Sequence, residues 1–311
     1  MNFNKKSKIY IAGHNGMVGS ACWRALKLKG YNNLIGKNSS QLNLRNQIDV
    51  QNFFQKEQPN AVINAAAKVG GILANNNYPY EFLMYNMQIQ NNLIEASLKF
   101  NISKFIFLGS SCIYPKLAPQ PLKEEYLLSG KLEPTNEWYA IAKISGVKLI
   151  ESIRKQFNKD YVALMPTNLY GPNDNYDLLT SHVLPAMLRK FHEAKEKNIA
   201  SVKLWGSGKP KREFLHVDDL AEAVVFSLFN KLDEPLYNVG SGEEISIKDL
   251  ALLIKEITGY KGKIIWDKSK PDGTPRKLMD TSKLNSMGVF SKISLKNGIT
   301  NVYNDLEFKR I

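Results

Sequence analysis

A tyrosine and a lysine four positions apart, Tyr139 and Lys143, follow a stretch Phe107-Leu-Gly-Ser-Ser-Cys-Ile-Tyr-Pro115 that carries Ser110 and Cys112. Residues four apart on a helix share a face, so an ammonium can sit beside a phenol. A phenol ionises near pH ~10. A neighbouring cation favours the phenolate and brings the group toward the working range of a general acid. Ser110, at the carboxyl end of the apolar run Phe105–Leu108, supplies a hydroxyl to hold a substrate oxygen beside that phenol. Such a set suits proton transfer at an oxygen while a hydride moves. A solvated lysine lying over an aromatic ring has the same spacing, so the rest of the chain must decide.

The elements that would position these groups begin at once. Lys8-Ile-Tyr-Ile-Ala12 reads as a short apolar strand, and Gly13-His-Asn-Gly16-Met-Val-Gly19 follows, opening a helix that ends near Gly30. Glycines so placed allow a tight turn, close approach to a pyrophosphate, and packing of helix on sheet, with backbone amides facing the anion. A second strand at Leu34-Ile35, a helix marked by Ile48, Val50, Phe53 and Phe54, and a third strand at Ala61–Asn64 continue the alternation. The pattern predicts an α/β fold, a Rossmann-type doubly wound parallel sheet with helices on both faces. After the second strand the turn Gly36-Lys-Asn-Ser-Ser40 holds no carboxylate to bind the ribose hydroxyls of NAD. Lys37 and the serine hydroxyls instead suit the extra phosphate of NADP. Asn64-Ala-Ala-Ala-Lys-Val-Gly-Gly71 is small enough for a nucleotide to lie close to the backbone.

Composition sets outer bounds. At 311 residues, 43% hydrophobic and 23% charged, the chain has the balance of an ordinary globular protein. No apolar run approaches the ~20 residues of a membrane span. Two cysteines, Cys22 and Cys112, favour a reducing compartment, and the polar stretch Met1–Lys8 leads straight into a strand, so a cytoplasmic location is expected. The net charge of +13 is spread over single lysines with no basic block, which argues against nucleic acid and fits anionic small molecules. No metal-ligand spacing stands out.

Beyond Gly171 the rhythm changes. A polar loop over 173–181 precedes a helix from His182 to about Lys197, a strand at Val202–Trp205, and the turn Gly206–Pro210. Arg212-Glu-Phe-Leu-His-Val217 leads into a helix over 218–230, and Tyr237–Gly240 is a further buried strand. The remainder mixes short helices with the polar loop 271–277. These features predict a dinucleotide-binding domain over 1–172 plus about 213–240, with a smaller α/β substrate lobe over about 173–212 plus 241–311.

Together the glycine turn, the Ser110, Tyr139 and Lys143 set, and Arg212-Glu-Phe-Leu-His-Val-Asp-Asp219 resemble the extended short-chain dehydrogenase/reductase family. Within it, the strings 108–115, Glu133–Glu137, Pro166–Pro172, Ser181-His182 and Lys270–Lys277 resemble the GDP-L-fucose synthases, over nearly the whole chain. The resemblance implies 3,5-epimerisation of GDP-4-keto-6-deoxy-D-mannose followed by NADPH-dependent reduction at C4. It makes Tyr139 the proton donor to the C4 oxygen, Lys143 the group that binds the nicotinamide ribose and tunes the phenol, and Ser110 the orienter of the sugar. Cys112 and His182 become the epimerisation pair. A 4-keto group acidifies the protons at C3 and C5, so one group must take a proton and another return one to the opposite face. A thiolate beside a cationic ring and an imidazole suit those roles.

For the cofactor the resemblance implies contacts along the turn from Gly13 through His14, Asn15, Gly16, Met17 and Val18 to Gly19, and at Lys37, Ser39 and Ala65. It adds Leu108, Gly109, Ser110 and Ser111 from the fourth strand, Lys143, then Pro166, Thr167, Asn168 and Leu169, with His182. The sugar nucleotide falls to Asn168, Lys190, Trp205, Arg212 and Asp272, and the functional unit to a homodimer packed through the helices near 79–100 and 137–157. His14, His192 and His216 are not expected to act as acids or bases. Relatives often carry arginines where Asn15, Ser39 and Lys190 stand. The alternatives are a related GDP-hexose or GDP-heptose epimerase-reductase, an NAD-dependent nucleotide-sugar 4-epimerase, and a cofactor-binding redox regulator. An epimerase would not need the Cys112 and His182 pair, and regulators of this fold commonly lack the Tyr and Lys.

Overall fold

Strands with apolar residues at every position, rather than alternate ones, are stable only where both faces are covered. Ile9–Ala12 (β1), Ala61–Asn64 (β3) and Lys104–Leu108 (β4) are buried at every residue in the computed structural model, which describes residues 3–178, 180–270 and 272–305. With Leu34-Ile35 (β2), Asp160–Pro166 (β5) and Leu236–Val239 (β9) they form one six-stranded sheet, ordered β2-β1-β3-β4-β5-β9 and parallel throughout. Met17–Leu28 (α1) and Val217–Phe229 (α7) cover one face, over Ile9, Ile11, Ile63 and Ile106. Gln47–Glu57 (α2), Pro79–Lys99 (α4) and Glu137–Phe157 (α5) cover the other, over Tyr10, Val62, Phe105 and Phe107. Among the described residues no helix is long and apolar enough to cross a membrane.

A second body is built on Lys211–His216 (β8). It pairs in parallel with Asn168–Tyr170 (β6) and Arg276-Lys277 (β12), and antiparallel with Glu244–Ser246 (β10). Ser201–Trp205 (β7) pairs in parallel with Lys263–Asp267 (β11). Val183–Glu196 (α6), Ile247–Thr258 (α8) and Leu295–Asp305 (α10) enclose a third apolar cluster that includes Leu188, Phe191, Leu250, Ile254 and Ile299. Thus β8 joins the smaller sheet, whereas α7 and β9 return to the larger one. Two short helices, Ile72–Asn77 (α3) and Ser282–Asn285 (α9), complete the described chain.

Several elements differ from the sequence expectation. The stretch after Pro166, given no element of its own from the sequence, forms β6, because Asn168 donates to the Glu213 carbonyl at 2.8 Å and its backbone joins β8. The expected mixture of short helices after Gly240 contains a helix of 12 residues, α8, capped by Ser246 and ended at Gly259 with φ 75°. The strand β11 and the short helix α3 were not foreseen either. Pro271, in the polar loop quoted above, lies outside the described residues.

One glycine sets how closely α5 approaches the sheet. A Cβ at Gly146 would stand 2.4 Å from the Phe107 ring, and both are buried in a close-packed interior. Gly146→Ala should therefore cost about 1–3 kcal/mol by overpacking, read as a lower midpoint in urea with an unchanged slope.

Candidate active site

The glycine turn is a cradle in which side chains cannot fit. Gly13 has φ +81°, and a Cβ there would meet the Ala65 carbonyl and the Ala66 Cα at 2.9 Å. A Cβ at Gly19 would lie 2.1 Å from the Gly13 oxygen, so the first turn of α1 rests directly on the loop. Gly16 precedes α1 and no side chain caps the helix, leaving its first amides to an anion. Met17 and Val18 are half-buried in that first turn, and Asn15 is exposed beside it. This donor set fits a dinucleotide pyrophosphate. His14 is spent differently: its ring lies against Gly36, where a Cβ would come within 2.3 Å, and 5.7 Å from the Trp23 ring. Burial lowers its pKa. Lys37 is half-buried and Ser39 exposed at the mouth after β2.

At the carboxyl end of β4 the chain turns sharply. A Cβ at Gly109 would overlap the Met165 methyl at 2.0 Å, and the Ser110 Oγ accepts from the Cys112 amide at 3.4 Å. Lys143 reaches this turn from α5 and donates to the Leu108 carbonyl at 2.8 Å. Its Nζ lies 5.7 Å from the Tyr139 ring centroid and 4.9 Å from that of Phe107. The Phe82 ring packs edge-on against Tyr139 at 6.2 Å.

These groups perturb one another's titration. Burial raises the Cys112 thiol, opposed by the Lys277 charge, the Ser110 hydroxyl and the Lys143 charge. Burial also pushes the Tyr139 phenol up, with the Cys112 charge adding to it. Lys143 is pushed down to about 8 by burial, against the pull of Cys112. The expected depression of the phenol is thus absent here. The ammonium is turned to the Leu108 carbonyl, and removal from water sets the direction at the phenol.

His182 is exposed and precedes α6, where its side chain makes no cap. Although its surface meets solvent, the dense protein around the ring, and then the Lys277 charge, lower its pKa. Lys277 therefore acts on both Cys112 and His182, and it was missed as a site residue. The cation expected beside Cys112 was an imidazolium; the structure supplies a lysine. Neighbouring residues on a strand point opposite ways. On β12, Arg276 bonds Glu244 at 2.6 Å, so Lys277 takes the other face. Asn136, also missed, lines the same recess as Cys112, Glu133 and Lys277, with its Oδ1 enclosed and unpartnered.

The expected sugar-nucleotide residues are less uniform. Burial lowers the Arg212 pKa, opposed by the charges of Glu133 and Asp272, and its guanidinium also acts on Lys277. Asp272 is committed to a turn: its oxygens accept from the Ser207 amide at 2.6 Å and the Ser207 hydroxyl at 2.8 Å. Trp205 is exposed at the end of β7, with the Lys270 ammonium 5.4 Å from its ring. Lys190 is half-buried on α6. Pro166 ends β5, Thr167 donates its amide to Val239 at 2.9 Å, and Leu169 is half-buried on β6. His192 contacts the Tyr303 hydroxyl at 3.1 Å, and His216 accepts from the Asp218 amide at 3.2 Å. Both histidines lie outside this cluster.

Residues 9–240 match the profile of the NAD dependent epimerase/dehydratase family. The chain is 54% identical to GDP-L-fucose synthase 1 of Arabidopsis thaliana, covering 97% of this chain and 93% of that one. It is 50% identical to GDP-L-fucose synthase of Escherichia coli K12, covering 96% of each. Among solved structures, a GDP-mannoheptose C4 reductase of Campylobacter jejuni with NADP bound superposes with a TM-score of 0.90 at 40% identity, covering 97% of this chain and 98% of that one.

The Lys277 charge favours a thiolate at Cys112 and disfavours an imidazolium at His182. Lys277→Met should therefore raise both pKa values. Thiolate absorbance near ~240 nm and the His182 ring-proton shift, each followed against pH, would report the two movements. Movement of neither would remove Lys277 from the site.

Proposed function

This chain belongs to the NAD dependent epimerase/dehydratase family, and we propose that it converts GDP-4-keto-6-deoxy-D-mannose to GDP-L-fucose by 3,5-epimerisation and NADPH-dependent 4-reduction. The observation that carries this reading is the Lys143 bond to the Leu108 carbonyl at 2.8 Å, which sets its ammonium 5.7 Å from the Tyr139 ring at the turn bearing Ser110 and Cys112, with Lys277 acting on both Cys112 and His182. Groups from four separate stretches of chain serve one ketone-bearing ring. Cys112 takes a proton from the carbon beside the ketone, and the electron pair is held as an enolate on the C4 oxygen. His182 returns a proton to the opposite face; proton exchange with solvent then restores the thiolate and the imidazolium, and the cycle is repeated at the second carbon. NADPH, when bound, supplies the hydride to C4. Tyr139 gives its phenolic proton to the C4 oxygen, Lys143 stabilises the phenolate left behind, and Ser110 holds that oxygen in place.

The larger sheet, with Gly13–Gly19, Ala65 and Leu108–Ser111, is read as the cofactor side, and the lobe around β8 as the GDP-sugar side. Arg212, Lys190 and Trp205 serve the nucleotide end, where Lys190 offers a point charge rather than a planar fork. A homodimer is read from exposed Tyr80 and Met84 on α4 and Trp138 and Ile141 on α5, two helices that pack side by side. A cytoplasmic site of action goes with the free Cys22 and Cys112. The C4 reductase neighbour supports a second reading, reduction of a GDP-heptose, which presents the same 4-keto carbon. Identifying the product from each sugar separates the two.

Tyr139→Phe should lower reduction by about 10²–10⁴-fold while solvent deuterium still enters C3 or C5 of the keto sugar. Cys112→Ser should abolish that exchange and leave the reducing groups in place. Equal loss of both activities in both variants, with cofactor binding intact, would sink this division of labour.

A further inference from the structure

Between β3 and α3 runs a strap, Lys68-Val69-Gly70-Gly71, whose own residues carry no obvious chemistry. Two buried asparagines hold it. Asn86, 2% exposed on α4, accepts from the Lys68 amide at 2.8 Å and donates to the Lys68 carbonyl at 3.0 Å. Asn75, 5% exposed on α3, donates to the Gly70 carbonyl at 2.8 Å and the Gly71 carbonyl at 3.0 Å. Among the described residues the Asn75 Oδ1 has no partner. A buried amide with one end unsatisfied is costly, which fits a residue retained for what its nitrogen does.

The strap touches both halves of the reaction site. A Cβ at Gly70 would lie 3.1 Å from the tip of Phe82, the ring packed edge-on against Tyr139. The Gly71 amide donates to the Thr180 carbonyl at 2.9 Å, and a Cβ at Gly71 would stand 2.7 Å from the Ser181 oxygen. His182 is the next residue. The loop before it is internally tied, with the Thr180 amide and hydroxyl both on Asp177 at 2.9 Å. The Gly71 bond registers that loop against the Tyr139 side of the cleft.

We propose that Asn75, with Asn86 as the second anchor, is a positioning residue: it fixes Gly70 and Gly71 so that the Thr180 carbonyl, and with it His182, is held at a set distance from Tyr139. This inference rests on the reaction assigned above. Proton return to carbon fails first when an acid is displaced, because small misplacements of a reacting group cost one to two orders of magnitude in rate. Hydride transfer at Tyr139, which is anchored separately through Lys143 on the Leu108 carbonyl, should be slowed less than exchange.

Asn75→Asp keeps the side-chain shape and removes the two donors, and Gly71→Ala presses on the Ser181 carbonyl from the other side with the asparagines intact. With GDP-4-keto-6-deoxymannose and NADPH, both variants should slow deuterium entry at C3 or C5 by about 10-fold to 100-fold. The kinetic isotope effect from NADPH deuterated at the transferred position should shrink toward unity, as epimerisation becomes limiting. Should either variant fail to fold, the other, or Asn75→Ser, carries the test. Wild-type exchange rates in both variants would overturn the strap, as would parallel loss of exchange, hydride transfer and NADPH binding. A wild-type protein that neither exchanges nor reduces this sugar would overturn the assigned reaction, and the strap with it.

Discussion

A buried ammonium resting on the last carbonyl of a strand holds the site together. Lys143 is 3% exposed and donates to the Leu108 oxygen at 2.8 Å. An ammonium withdrawn from water without a partner costs several kcal/mol, so the rotation of α5 about its axis is strongly constrained. Tyr139 lies one turn earlier on the same face, and Gly146, nearly one turn later, lets the helix close onto Phe107. The Leu108 carbonyl also leads into the turn that bears Ser110 and Cys112. One hydrogen bond therefore sets the phenol and the thiol against each other, and neither can drift without stranding a charge.

The second constraint is a carboxylate where none was anticipated. Glu213 is fully buried on β8, and its two oxygens accept from the Gly242 amide at 2.7 Å and the Met279 amide at 2.9 Å. Burial raises its pKa against those same hydrogen bonds. Its backbone carbonyl takes the Asn168 amide, so one residue links β6, the turn after β9 and the segment after β12. The smaller lobe is thereby keyed to the larger sheet at the floor of the cleft. Lys277, which acts on both Cys112 and His182, belongs to that β12 segment and inherits its position from Glu213.

Legibility in the sequence followed the locality of the physics. The strands β1, β3, β4 and β5 and the glycine turn were readable because period, apolar runs and glycine spacing are properties of a few consecutive residues. Tyr139 and Lys143 were readable for the same reason. The strand β6 was not, because Asn168-Leu-Tyr170 gains its pairing from β8, more than forty residues away. Lys277 stood in a string already singled out, yet its role depends on which face of β12 looks inward, and only the Arg276 pairing with Glu244 decides that. The direction of the Tyr139 shift was misjudged because spacing reports the neighbouring cation and says nothing of desolvation.

The net charge of +13 finds its meaning in this distinction. Several described ion pairs, such as Lys29 with Glu222 and Lys296 with Glu256, join well-exposed side chains, where water and salt leave each worth a few tenths of a kcal/mol to about 1 kcal/mol. Scattered surface lysines of that kind steer weakly. The cations facing the cleft are few, namely Lys143, Lys277 and Arg212, yet burial lowers the pKa of each. Removal from water, partly offset by Glu133 and Asp272 at Arg212 and by Glu133 at Lys277, is the cause. A ligand bearing a diphosphate would relieve the depression where screening is least.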